Sequence, residues 1–230
     1  MDTLDAGDLR NLIRGIADAR PRNHQVHIGP SELGGECDRR LGYRMLETPR
    51  SNTEGDPLAS WIGTSVHAAI ESALADHPDW ECEVPVTLPA YGIAGTLDAY
   101  HIPSATVLDW KVVGDTTLRK TRASGLSHTY RTQIHTYGLA LDMAGTPVEH
   151  VSVVMIPRSG RLLNLAVFTE ALDPSVVESA LRRYEGIKAM VTVAGDAAPT
   201  VLPTGDNFCQ TCPWYLPAAT DPTEACAGHR

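Results

Sequence analysis

The chain has 230 residues, of which 43% are hydrophobic and 20% charged, a balance that suits one globular domain with a core of its own. No apolar run approaches the roughly eighteen residues of a membrane span, and the acidic N-terminus lacks the apolar stretch of a signal peptide, so a cytoplasmic chain is expected. In that reducing setting the five cysteines read as metal ligands or free thiols, not disulfides. The formal charge of −9 argues weakly against a nucleic-acid binder, but its distribution is uneven. No acid lies between Asp115 and Asp142, where Arg119, Lys120, Arg122 and Arg131 all fall; alone such a run reads as a solvated surface loop, and beside further signals as a phosphate-contacting surface.

In chain order, residues 2–20 carry Leu9, Leu12, Ile13 and Ile16 at helical spacing and predict a helix. Gly29–Pro30–Ser31 follows, with Ser31 placed to cap a short helical turn, and then Cys37 and a helix bearing Arg44. A loop rich in Gly, Asn, Pro and Asp (51–57) leads to a long helix at 58–76. Three β-branched runs at 81–88, 92–101 and 105–113 predict strands. A basic loop over 114–127, a helix at 128–144, strands at 148–156 and 161–169 and a helix at 174–193 complete the core. The tail is rich in Pro, Gly and Thr and carries Cys209, Cys212 and Cys226. The whole reads as one domain: an N-terminal helical segment (1–57), a core (58–193) and a cysteine-bearing tail (194–230). No GxxxxGK[ST] motif is present, which argues against ATP hydrolysis.

The sharpest local signal is Gly95–Thr96–Leu97–Asp98 followed by Leu108–Asp109–Trp110–Lys111. Strand alternation puts Asp109 and Lys111 on one face and sends Leu108 and Trp110 to the other, towards the core. A hairpin turning at Pro103–Ser104 sets Asp98 opposite Asp109. Two carboxylates so placed repel unless a cation lies between them, and Mg²⁺ or Mn²⁺ prefers such hard oxygens. A bare Asp–Lys pair on an exposed sheet would be worth only about 0–1 kcal/mol. Lys111 is one of 3 lysines against 16 arginines, so a compact ammonium is retained where arginine is the norm. His67, with Glu71 one turn on, sits on the preceding helix, and Gln133 and Tyr137 share a face of the later one.

Gly63–x–x–x–His67, Gly95–x–Leu97–Asp98, Asp109–Trp110–Lys111 and Gln133–x–x–x–Tyr137, in that order, resemble the PD-(D/E)xK nuclease superfamily, and its RecB-like branch most. The resemblance implies an α/β fold with a restriction-endonuclease-like mixed sheet flanked by helices. It implies that His67, Asp98, Asp109 and the Trp110 carbonyl hold Mg²⁺ or Mn²⁺. Lys111 would polarise the attacking water, and Gln133 and Tyr137 would orient Lys111 or the DNA. Asp109 stands where many members carry Glu. The implied activity is a DNA exonuclease, acting on single-stranded DNA from a 5′ end in recombination, repair or spacer processing. The implied partners are DNA and a helicase, recombinase or CRISPR integration protein.

On spacing alone, Cys209–x–x–Cys212 with Cys226 and the distant Cys37 suits zinc as well as an iron–sulfur cluster. The iron–sulfur RecB-like nucleases, the Cas-four type exonucleases and AddB among them, carry one Cys before the core and three after it. Resemblance to that plan implies a [4Fe–4S] cluster on Cys37, Cys209, Cys212 and Cys226, in a cap built from both ends of the chain. Thirteen residues separate Cys212 from Cys226, more than is usual in that group, which leaves His229 as a substitute ligand. Cys82 reads as a packed thiol. Two other readings stand beside this one: a nuclease subunit active only with a partner, and a zinc-stapled DNA-binding protein without catalysis.

Overall fold

The computed structural model describes residues 5–19, 28–52, 55–205 and 209–229; residues 2–4, 20 and 53–54 of the expected first helix and loop lie outside them. Helices α1 (Ala6–Asp18), α2 (Pro30–Leu33), α3 (Asp38–Met45) and α4 (Leu58–Leu74) precede the sheet. Asp5 caps α1 by accepting from Gly7 and Asp8 N–H, yet Leu9, Leu12, Ile13 and Ile16 all stay exposed. Gly29 caps α2 in place of Ser31. Pro30 takes the first helical position, and the Glu32 carboxylate reaches back to accept from Gly29 N–H at 3.1 Å.

Among the described residues, five strands form one mixed sheet in the order β1 (Trp80–Leu88), β2 (Ile93–His101), β3 (Thr106–Val113), β4 (His150–Pro157), β5 (Ala166–Ala171). The pairs β1–β2, β2–β3 and β4–β5 are antiparallel, and β3–β4 is parallel. A parallel pair needs a crossover, which α5 (Asp115–Ser124) and α6 (His128–Met143) supply. Interior strand β4 is buried on both faces from Val151 to Met155, whereas edge strand β5 alternates.

Helix α6 is buried from Thr132 through Gly138. It lies close to the sheet at Gly138, where an added Cβ would fall 2.7 Å from Val151 Cγ1. Helix α7 (Pro174–Ala194) packs beside it and buries Val177, Leu181, Tyr184 and Ile187. The short α8 (Ala198–Val201) then leads into the tail. No described helix is long and apolar enough to cross a membrane.

Three expectations are corrected. The basic segment 114–127 is mostly helix, because Gly114 and Gly125 cap α5 while Leu118 and Thr121 turn inward. The last strand begins at Ala166, not 161, since Leu162–Asn164 form a 3₁₀ turn with Leu162 and Leu163 74% and 82% exposed. In β3 the well-covered face is the other one: Val107, Asp109 and Val113 are buried while Leu108 and Trp110 are half-buried.

Candidate active site

The β2–β3 hairpin turns through Ile102–Ser104, and the left-handed Ala105 (φ 44°) completes it. Pairs Ala99–Leu108, Tyr100–Val107 and His101–Thr106 give the expected register, which sets Asp98 opposite Asp109. Beyond Ala99 the backbone ladder gives way to a side chain: Asp98 Oδ2 accepts the Trp110 N–H at 2.8 Å. On the other flank, Glu83 lies between the pairs Cys82–Ala99 and Val84–Leu97 with φ 50°, a strained conformation for a non-glycine residue. Asp98 therefore sits where the pairing of β2 is interrupted, and its carboxylate is held by the Trp110 N–H beside His67.

Asp109 is 2% exposed. Lys111 Nζ donates to its Oδ1 at 2.9 Å and stands 2.7 Å from Oδ2 as an ion pair, and Gln133 Nε2 donates to Oδ1 at 3.1 Å; Oδ2 itself is buried without a hydrogen-bond partner. Burial pushes the Asp109 carboxyl up to about 6 against the pull of Lys111, and neighbouring Asp98 adds to the rise. His67 Nδ1 stands 3.3 Å from Asp98 Oδ1. Burial lowers the His67 pKa, but the hydrogen bond and charge of Asp98 outweigh it, and the net shift is upward. Gln133 Nε2 also reaches the Tyr137 hydroxyl at 3.4 Å.

His67, Asp98, Asp109, Lys111, Gln133 and Tyr137 are thus brought together. Glu71 is exposed, and its charge bears on Cys82, whose thiol burial pushes up. Among the described residues, no group of three or more His, Cys, Asp and Glu is arranged to hold a metal ion. At Asp109 both hydrogen bonds fall on Oδ1, and Oδ2 is left buried beside the Lys111 ammonium with no hydrogen-bond partner.

One contributor, Tyr130, went unnoticed in the sequence. Tyr130 presents its ring 5.5 Å from the Lys111 ammonium, and it precedes Gln133 and Tyr137 at i, i+3 and i+7, a spacing that puts all three on one helix face. Gly95, the glycine of the GxLD segment, owes its identity to packing. A Cβ there would fall 2.8 Å from Pro30 Cδ and 3.3 Å from Tyr137 Cε1.

Arg119 and Lys120 are exposed on α5, and Arg122 Nη2 donates to the Asn164 carbonyl at 2.6 Å. Arg131 stands apart: its Nε pairs with Glu170 at 2.7 Å, beside the fully buried His135, and its Nη2 lies 3.8 Å from Asp173.

Cys37, Cys209, Cys212 and Cys226 line one cavity with Arg39 and Arg40. Gly228 N–H donates to Cys226 Sγ at 3.4 Å, His229 N–H to Cys209 Sγ at 3.3 Å, and Arg39 Nη1 to Cys226 Sγ at 3.8 Å. Burial pushes the Cys212 thiol up. His229 uses its ring to bond Thr204 at 3.2 Å. The two ends of the chain are also joined without any ligand. The Tyr43 and Trp214 rings stack at 5.6 Å, Tyr43 OH donates to Pro222 O at 2.5 Å and Trp214 Nε1 to Thr48 O at 2.9 Å.

No family model matches the chain, and no curated protein matches it by sequence. Solved structures do resemble it. An alkaline exonuclease (LHK-Exo) from Laribacter hongkongensis aligns over 75% of this chain and 91% of its own, with 13% identity and a TM-score of 0.53, and a complex of that exonuclease with dAMP matches as well. SSO0001 aligns over 97% and 98% at 18% identity and a TM-score of 0.54. A phage-related exonuclease from Haemophilus somnus 129PT aligns over 73% and 94% at 10% identity and a TM-score of 0.50. At these identities the likeness is one of fold, and it agrees with a restriction-endonuclease-like sheet flanked by helices.

Proposed function

We propose that this chain is a Mg²⁺- or Mn²⁺-dependent DNA exonuclease acting on a strand end, with single-stranded DNA cut from the 5′ end as the expected preference. One observation carries the reading: a carboxylate, Asp109, buried beside a second carboxylate and pinned by the ammonium two residues on. Such a grouping costs stability compared with apolar packing, and perturbed buried carboxylates gather where chemistry is done. The fold is shared with two exonucleases, one of them also solved with a mononucleotide.

His67, Asp98, Asp109 and the Trp110 carbonyl are the residues to hold the divalent ion, and their hard oxygens and single imidazole suit it. When bound, such an ion activates water and neutralises charge on the phosphoryl oxygens. The Trp110 N–H fixes Asp98 through Oδ2 and leaves Oδ1 turned towards His67. Lys111 has three donors; one bonds Asp109 Oδ1, which leaves donors for the attacking water or a non-bridging phosphoryl oxygen. Gln133 keeps Asp109 in place when Lys111 turns away, and Tyr137 steadies Gln133.

The same proposal makes Cys37, Cys209, Cys212 and Cys226 the residues to hold a [4Fe–4S] cluster. They surround one space, two receive backbone N–H groups, and Arg39 and Arg40 would offset the negative charge of a thiolate-held cluster. Its role in this reading is structural. The test is release of nucleotides from linear and circular single-stranded DNA with Mn²⁺. Digestion of the linear form alone, abolished by Asp109→Asn, is the expected result. Inertness on both substrates refutes the proposal, and equal cutting of both refutes its exonuclease part.

A further inference from the structure

The β4–β5 connection carries features that the site above does not use. Arg158 and Arg161 are exposed, as are Leu162 and Leu163, the latter pair at 74% and 82%. Apolar side chains so far out of the core bury nothing within this chain. Yet the segment is well tied: Arg158 N–H donates to Val113 O at 2.8 Å, Asn164 N–H to Arg161 O at 2.9 Å, and Leu165 N–H to Leu162 O at 2.9 Å. Arg122 of α5 closes the set by donating to Asn164 O at 2.6 Å.

These bonds bring two distant stretches of sequence onto one rim. Val113 ends the strand that carries Asp109 and Lys111, so Arg158 stands at the strand end next to the site, and α5 starts two residues beyond. No Asp or Glu occurs in residues 116–141 or 157–169, although the chain carries −9 overall. Arg119, Lys120, Arg158 and Arg161 therefore form a local cationic surface, next to a buried catalytic candidate, with two bare leucines at its tip.

We infer that the β4–β5 connection is a second DNA-holding element: Arg158 and Arg161 grip backbone phosphates continuous with those on α5, and Leu162 and Leu163 press against unstacked bases of the same strand. Phosphate contacts position a strand without reading it, and apolar side chains meet bases without an unstacking cost where the bases are already open. The occupant is thus a DNA strand in single-stranded form. This rests on the nuclease reading and adds the surface that delivers the strand to it.

The test measures binding by the full chain, with EDTA present to prevent cleavage, of a labelled single-stranded oligonucleotide and an abasic strand of equal length. Arg158→Ala/Arg161→Ala should weaken both strands about 25-fold at 0.1 M salt and flatten the log–log salt slope by about 1.4, at roughly 0.7 per lost single-strand contact. Leu162→Ser/Leu163→Ser should leave the slope alone and abolish any preference for the base-bearing strand. An unchanged slope in the arginine variant, or an unchanged preference in the leucine variant, overturns the assignment. So does self-association of the parent chain that the leucine variant loses, since the tip would then be an interface between copies. Failure of the parent chain to bind either strand would instead overturn the nuclease reading itself.

Discussion

Lys111→Met is the most informative single change, because it separates what the lysine does for chemistry from what it does for the fold. The Asp109 side chain is 3% exposed and its closest cationic partner is Lys111, itself 20% exposed. Removing one partner of a buried pair costs about 3–5 kcal/mol, because the other charge is left in a medium of low polarisability. Gln133 still donates to Oδ1 and the ammonium is not fully buried, so the lower end, about 3 kcal/mol, is expected here. Urea unfolding followed by circular dichroism, with EDTA present, measures it. Asp109→Asn should recover most of the loss in the double variant, since no buried charge then remains. The pH dependence has a definite sign. A carboxyl raised above its ordinary 3.8 binds its proton more tightly in the folded state, so stability falls as pH rises from the unfolded to the folded value. Lys111→Met raises the folded value further and should regain stability on mild acidification, which the double variant should not. Mn²⁺ should stabilise Lys111→Met more than the parent, by supplying the missing cation. If Lys111→Met unfolds at the parent's urea concentration, Asp109 is not held as described and the argument fails.

Gly95→Ala should destabilise the fold by about 1–3 kcal/mol and lower kcat, because its Cβ meets Pro30 and Tyr137; full activity and stability would show that neither contact matters. Burial lowers the His135 pKa despite the hydrogen bond to Glu170, so its contribution to stability is present above about 6.5 and is lost as pH falls through the depressed value. His135→Gln should flatten that part of the unfolding profile, and an unaltered slope would contradict it. Cys37→Ser and Cys209→Ser should give colourless protein while Cys82→Ser stays brown, with about four irons per chain in the parent; one zinc and no iron overturns the cluster. The colourless variants should still keep the tail attached, because Tyr43 and Trp214 hold it without metal.

Much of this was legible in the sequence because the signals were periodic or rigid. Alternation through β2 and β3, with Pro103 at the turn, was enough to set Asp98 opposite Asp109. Glycines misled, because Gly114 and Gly125 read as loop residues but act as helix caps for α5. Leu162 and Leu163 looked like strand residues because an apolar run does not say whether anything covers it. The wrong face was given to the core in β3 for a related reason. Local pattern treats an acid and a lysine as solvent-facing, whereas α6, distant in sequence, covers them and buries Asp109. Arg131 counted as one more cation of a basic stretch until Glu170, on the far edge strand, supplied its partner. The misses in β3 and at Arg131 concern contacts between segments that sequence spacing does not relate.

One such contact links the two candidate sites. Cys37 caps α3, and the first residue of that helix, Asp38, accepts from Arg183 Nε at 2.6 Å. Arg183 also donates to Leu33 O at 3.4 Å, and Arg44 of α3 pairs with Glu32 of α2 at 3.1 Å. The four residues of α2 are therefore held by the same segment that lines the cysteine cavity. On its other side, α2 rests on the active site: Pro30 packs over Gly95, and Thr129 of α6 donates to Gly34 O at 3.0 Å. A helix so short has no stability of its own and takes its position from these neighbours. A packed path thus runs from the cysteine-lined cavity through α3 and α2 to β2 and α6, which carry Asp98, Gln133 and Tyr137. The tail lies far along the chain from these residues and meets that path at α3, through Tyr43 and Arg39.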